Sequence, residues 1–335
     1  MSASLIVLLP VVLLGIVGLF CFVGCGLHTH GLLTSFRDYS GTTVLGNSAI
    51  AAYWPLREAS DSVPAADLAP NPDNGQYIDP STLPSIYSWP KSSVGNAPLP
   101  DILSAAAPGS IAFAQPGIVT GDGAADDTSA AAPCLVVNGC YVNVPLASKV
   151  NPATSFTLEA WVRVDWDKSA PHAWRAVLDA RDINPGTGFA IIATADDNAP
   201  GVYHWTAFVG NGGTDAAGFT TAASADPITL NVPTGATTYY LAVTYDGPSQ
   251  TLTLYVDGLQ SGPQVTPAVY VPNTTSPLWI GAGVPYVPLR PQAAGVLGGP
   301  LFPFVGALQD IAIYSTALTP DVVMMHLNNG NGFGS

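Results

Sequence analysis

Phe156-Thr157-Leu158-Glu159-Ala160-Trp161-Val162-Arg163-Val164 is the stretch whose period decides the fold. Its apolar positions recur every second residue, so Phe156, Leu158, Ala160, Val162 and Val164 share one face of an extended strand. Glu159 and Trp161 fall on the other face. The same period continues downstream in Tyr239-Tyr240-Leu241-Ala242-Val243-Thr244-Tyr245 and Thr251-Leu252-Thr253-Leu254-Tyr255-Val256. These two segments flank Asp246-Gly247-Pro248-Ser249-Gln250, a turn composition that predicts a hairpin. A second turn, Asp257-Gly258, follows directly. Leu278-Trp279-Ile280-Gly281 and Gly306-Ala307-Leu308-Gln309-Asp310-Ile311-Ala312-Ile313-Tyr314 complete the set of strands. Only Leu318-Thr319-Pro320-Asp321 opens a helix, with Thr319 as N-cap and Pro320 in the first helical position. Many short strands with frequent turns and almost no helix predict an all-β antiparallel sandwich.

Working toward the N-terminus, Cys134 and Cys140 bracket Leu-Val-Val-Asn-Gly, a hairpin-like stretch with an Asn-Gly turn signal. Two readings stand for the pair: a short-loop disulfide, or two free buried thiols. Prolines 80, 84, 90, 98, 100 and 108 mark an insertion at about 78–110 that lacks alternation. Strand character resumes upstream at Ile50-Ala51-Ala52-Tyr53-Trp54-Pro55-Leu56. Residues 28–47 read as a connector.

The first 27 residues have a different character. Leu5–Leu27 carries no charge, and about 20 apolar residues match a hydrocarbon core about 30 Å thick. Residues 1–27 are therefore read as a transmembrane anchor helix, with Gly15, Gly18 and Gly24 permitting close approach to another helix. A lipoprotein signal ending at Cys25, or a cleaved secretory signal, are the alternatives; the absence of Lys and Arg before the run counts against both. Cys21 and Cys25 share a helical face and pack as small apolar residues. His28 and His30 fall just beyond the run, where interfacial anchoring accounts for them.

The net charge of -14 excludes nucleic acid as a partner, because nucleic acid rewards clusters of Lys and Arg. A body scarce in Lys and rich in Ser, Thr, Asn, Gly and Pro fits an extracytoplasmic β domain, periplasmic or at the cell surface. Sugar recognition would need an exposed aromatic platform, with Trp166, Trp174, Tyr203, His204 and Trp205 as candidates. Trp279 reads as core and Trp161 as either. Asp165-Trp166-Asp167 and Asp179-Ala180-Arg181-Asp182 read as loop turns and a surface ion pair. No nucleophile elbow, phosphate loop or dinucleotide fingerprint occurs.

In their order, FTLEAWVRV, YYLAVTYDG with TLTLYVDG, LWIGAG and FVGALQDIAIYSTALTPDVVMMHL resemble the laminin-G-like, concanavalin A-like lectin-glucanase domains. Ala52-Tyr53-Trp54-Pro55-Leu56, with Asp67 and Gly75-Gln76-Tyr77 downstream, resembles that family's opening strand. The resemblance covers residues 48–335 and implies a jelly roll of two antiparallel sheets packed face to face. It also implies Ca2+ sites built from aspartates and backbone carbonyls. Asp67 and Asp310 are the candidates, together with Asp122 and Asp126 of an acidic loop; Asp196-Asp197-Asn198 is a further acidic turn. Glycosidases of this fold carry a Glu-x-Asp-x-Glu pattern, since retaining chemistry needs two carboxylates about 5 Å apart. This chain has two glutamates, Glu58 and Glu159, far apart in sequence, so no catalysis is expected.

Two functions follow. The first is a non-catalytic accessory subunit, its sandwich contacting other integral membrane subunits on the outer face of a complex such as a photosynthetic or respiratory one. The second is a cell-surface module that binds a glycan or mediates adhesion.

Overall fold

The computed structural model describes residues 39–79, 93–94, 97–98, 110–115, 117–122, 134–166, 174–230, 237–283 and 302–333. The apolar run with Gly15, Gly18 and Gly24, most of the Pro-rich insertion, and Asp126 lie outside the described residues. Among the described residues no helix is long and apolar enough to cross a membrane.

In chain order the strands begin with β1 (Ile50–Trp54), β2 (Gln76–Ile78), β3 (Ser93–Val94), β4 (Ala97–Pro98), β5 (Ser110–Gln115) and β6 (Cys134–Asn138). Then come β7 (Tyr141–Val144), β8 (Phe156–Val164), β9 (Arg175–Asp179), β10 (Phe189–Ala195), β11 (Tyr203–Gly210) and β12 (Phe219–Ala223). The last are β13 (Thr237–Asp246), β14 (Thr251–Val256), β15 (Leu259–Gln260), β16 (Leu278–Ile280) and β17 (Val305–Tyr314), followed by helix α1 (Pro320–Gly330). An eight-stranded sheet has the order β15-β14-β13-β8-β17-β6-β5, with β1 beside the C-terminal half of β17. A seven-stranded sheet has the order β12-β11-β10-β9-β16-β7-β2. Among the described residues, strands β3 and β4 form a separate two-stranded pair.

The two sheets enclose one core. Phe156, Leu158, Ala160, Val162 and Val164 all point into it, as the alternation predicts. They meet Ile191, Ala193, Trp205 and Ala207 from the other sheet. The Asp246–Gln250 turn joins β13 to β14 in register. Asp257 and Gly258 both have positive φ, the requirement of a tight turn into β15. Thr319 caps α1 with its side chain accepting from Val322 N, and Pro320 opens the helix.

One expectation is corrected. Asn138-Gly139 is not a hairpin turn: β6 belongs to the eight-stranded sheet and β7 to the seven-stranded one, so Gly139, at φ 84°, turns the chain from one sheet to the other. Cys134 and Cys140 are buried and not joined by a disulfide, the second of the two readings. Cys134 opens β6, and Cys140 lies beyond the Gly139 corner at which the chain leaves that sheet. Burial and the neighbouring Asp79 push the Cys140 thiol up to about 12. Finally, the sandwich begins before Ser48. Tyr39–Val44 forms a π-helical turn with Tyr39 and Val44 buried, so the second half of the expected connector is part of the fold.

Candidate functional site

The outer face of the eight-stranded sheet is occupied by the chain itself. Trp161, Tyr240, Tyr255, Ala312 and Tyr314 form a second apolar cluster there with Tyr39, Val44 and Val323. Tyr39 meets Trp161 edge-on at 6.2 Å between ring centroids. Helix α1 closes over them, and its last residue must be glycine, since a Cβ on Gly330 would stand 2.2 Å from Trp161 Cζ2. Buried in this layer is Glu159. It accepts from Tyr240 Oη at 2.6 Å and Tyr314 Oη at 3.0 Å, and pairs with His326 Nδ1 at 2.9 Å. Glu159 thus fastens the helix to the sheet and is not open to a substrate.

Burial pushes the His326 imidazolium pKa down, but the charge and hydrogen bond of Glu159 outweigh burial, so the pKa is raised. The other titratable groups facing the pair, Tyr39, Tyr240 and Tyr314, are held protonated by burial and by the Glu159 charge. A raised histidine contributes stability that is complete below its unfolded pKa of about 6.5 and is lost as pH rises through the folded value. Urea unfolding should therefore show stability falling above about pH 6.5, with the slope flattened in His326→Gln. A slope unchanged by that substitution would contradict the assignment.

The outer face of the seven-stranded sheet is different. Val142, Val144, Leu278 and Ile280 point inward, so alternation places Tyr141, Asn143 and Trp279 outward. Trp279 is half-buried, not core as its flanks suggested. Its indole donates to Asn143 Oδ1 at 2.9 Å, and its ring leans on Tyr141 at 5.7 Å. Further along the face Phe208 packs with half-buried Trp174, Phe219 and Phe302. Arg181 lies over Phe208 and Phe219, its guanidinium 4.8 and 5.4 Å from the ring centres. Asp179 holds it with two hydrogen bonds of 2.8 and 2.7 Å. This pair is buried, not the expected surface ion pair. Thr194 and Thr206, in hydrogen-bond contact at 2.7 Å, and half-buried His204 supply polar groups beside the aromatics.

Of the other aromatic candidates, Trp166, Tyr203 and Trp205 belong to the inter-sheet core, and Trp161 lies beneath α1. Trp174 and His204 are the two that remain at the face. The signal for Trp279 was present in the sequence, because a residue between two inward positions must point outward.

Of the calcium candidates, Asp67 and Asp310 are each hydrogen-bonded within the chain. Asp67 Oδ1 accepts from the backbone N–H of Tyr53 and Ala69, each at 2.9 Å. Its Oδ2 accepts from Asp73 N at 2.8 Å and Lys149 Nζ at 2.5 Å. Asp310 sits in a β-bulge of β17 with φ 53°, which turns its carboxylate to Tyr53 Oη at 2.5 Å and Arg57 Nη2 at 2.9 Å. Each is therefore engaged by a cation of the chain. Asp122 lies on a 3-10 turn, Thr120–Asp122. Among the described residues no group of three or more His, Cys, Asp or Glu is placed to hold a metal.

A family profile described as the concanavalin A-like lectin/glucanases superfamily, laminin G type, matches residues 138–324. The chain belongs to that superfamily. No curated protein sequence matches it. Among solved structures it is similar to the native heptameric SAP-like pentraxin from Limulus polyphemus, with 13% identity and a TM-score of 0.36 over 52% of this chain and 70% of that one. It is also similar to a putative carbohydrate binding protein from Bacteroides ovatus, with 18% identity and a TM-score of 0.35, covering 51% of this chain and 40% of the other. The CBM40 of Ruminococcus gnavus IT-sialidase shows 15% identity and a TM-score of 0.38, over 53% and 85% respectively. These likenesses concern the fold. The superfamily match begins at Asn138 and ends within α1, so it spans the whole seven-stranded outer face except β2.

Proposed function

We propose that this concanavalin A-like domain is a non-catalytic recognition module that presents the outer face of its seven-stranded sheet to a carbohydrate. One observation carries the reading. The chain covers the outer face of one sheet with α1 and Tyr39–Val44, while the other keeps half-buried Trp279 and Trp174 beside Asn143, Thr194 and His204. Flat aromatic surface flanked by hydrogen-bonding groups suits a sugar, which offers C–H patches and hydroxyls together. The lectin association of the superfamily favours this reading over that of an accessory subunit in a membrane complex. Catalysis is disfavoured because the buried acid of this face, Asp179, is held by Arg181, while Glu159 lies beneath α1. Leu5–Leu27 would tether the module to a membrane, with the sandwich extracytoplasmic.

A glycan array probed with the full-length chain in detergent tests this, followed by calorimetry on the best sugar. Trp279→Ala should weaken binding by roughly thirtyfold, about 2 kcal/mol. A blank array, or a sugar bound equally by Trp279→Ala and Trp174→Ala, overturns the assignment.

A further inference from the structure

Arg175 is a buried cation on β9. It is 6% exposed, and among the described residues no carboxylate pairs with it. Its Nη1 donates to Pro303 O at a long 3.4 Å, its guanidinium also meets the Tyr203 hydroxyl, and it lies 5.1 Å from the centre of the Trp166 ring. Burial lowers its pKa, partly offset by the Tyr203 hydroxyl. An uncompensated buried charge is costly, so something should answer it.

The register shows what surrounds it. Arg175 on β9 stands opposite Ala193 on β10, and Ala193 stands opposite Trp205 on β11. Arg175 and Trp205 therefore straddle one small side chain on the inward face, with their backbones roughly 10 Å apart. Trp166 closes over Arg175 and meets Tyr203 and Phe304 at 5.9 and 5.4 Å. Among the described residues, three N–H groups in this cluster have no partner: Arg175 Nε, Trp166 Nε1 and Trp205 Nε1. The two tryptophans are 3% and 1% exposed. All three groups are donors that cannot accept. A water offers two lone pairs to three donors and leaves the guanidinium charge unanswered; a small anion accepts from all of them and neutralises the guanidinium.

We infer that the end of the sandwich bounded by Trp166, Arg175 and Trp205 above Ala193 is a binding site for a small inorganic anion of halide size. The site is separate from the proposed sugar face, because its side chains point between the sheets. Its occupant would be an integral part of the core and would tie β8, β9 and β11 together.

The test uses chloride and bromide. In solution, sodium chloride should raise the thermal midpoint of the full-length chain more than sodium gluconate at equal ionic strength. Trp205→Phe, which keeps a ring and removes the N–H, should weaken halide affinity about tenfold, and Trp166→Phe similarly. Arg175→Met should abolish the chloride-specific increment. Should that variant fail to fold, the two Phe variants decide the matter. In crystals grown with bromide, anomalous scattering should place an ion within hydrogen-bond distance of the three nitrogens. A water or a carboxylate of the chain at that position overturns the inference. So does bromide density without a chloride-specific shift in solution, which means binding at crystal concentration only. Equal stabilisation by chloride and gluconate overturns it as well.

Discussion

Glu159→Ala is expected to lower the unfolding free energy by about 3–5 kcal/mol, measured by urea titration with circular dichroism and tryptophan fluorescence. The carboxylate is fully buried and accepts from Tyr240, Tyr314 and His326. Truncation leaves three buried polar groups without an acceptor and opens a void under α1. Each abandoned donor costs about 1–3 kcal/mol, with partial relaxation reducing the sum. Among the described residues His326 Nε2 has no partner, so the ring is held through Nδ1, which loses both of its contacts to the Glu159 carboxylate. Because domain stabilities run about 5–15 kcal/mol, the loss is a large part of the whole. Fraying of α1 should expose Trp161 and shift its emission. Glu159→Gln, which keeps an acceptor and the volume, should cost less. A loss below about 1 kcal/mol for Glu159→Ala would show that the helix is held by Trp161 and Val323 packing instead.

How much of this was legible in the sequence depends on the range over which each feature is decided. The inward face of β8 was fully readable, because five apolar residues at period two fix one face without reference to any partner. The Asp246–Gln250 hairpin and the Thr319 cap were equally local. Asn138-Gly139 misled for the complementary reason. A residue that admits positive φ serves a hairpin and a sheet-to-sheet corner alike, and the choice is made by β17 and β16 pairing with the strands on either side. The site was partly legible. Trp279 lay between two apolar neighbours and so belonged outside, whereas Trp166 and Trp205 needed the whole sandwich to be placed inside. The alignment of Arg175, Ala193 and Trp205 arises from two strand registers that no local pattern encodes. Asp179 and Arg181, two apart and on one strand edge, were visible as a pair, but the aromatic rings that bury them come from β11 and β12.

Asp67→Ala should cost about 3–5 kcal/mol, and the pattern of controls separates its role from that of a calcium ligand. The carboxylate is saturated by Tyr53 N, Ala69 N, Asp73 N and Lys149 Nζ. Hydrogen bonds to a charged acceptor contribute about 1.5–3 kcal/mol each, and the loop from Leu68 to Asp73 is organised around this one group. Lys149 lies 82 residues away in sequence, so its part could not be read from the acidic residue alone. Deleting Asp67 also leaves the Lys149 ammonium with Asn71 O and the more distant Asp73 carboxylate, 3.6 Å away, as its partners. If lysine is the counter-ion, chelation by EDTA leaves the thermal midpoint of the unsubstituted protein unchanged and added calcium does not raise it. Lys149→Met then destabilises in its own right, with a non-additive double mutant. If calcium is the counter-ion, EDTA reproduces the loss seen in Asp67→Ala and has no further effect on that variant. The two outcomes are exclusive, and the engaged carboxylate predicts the first.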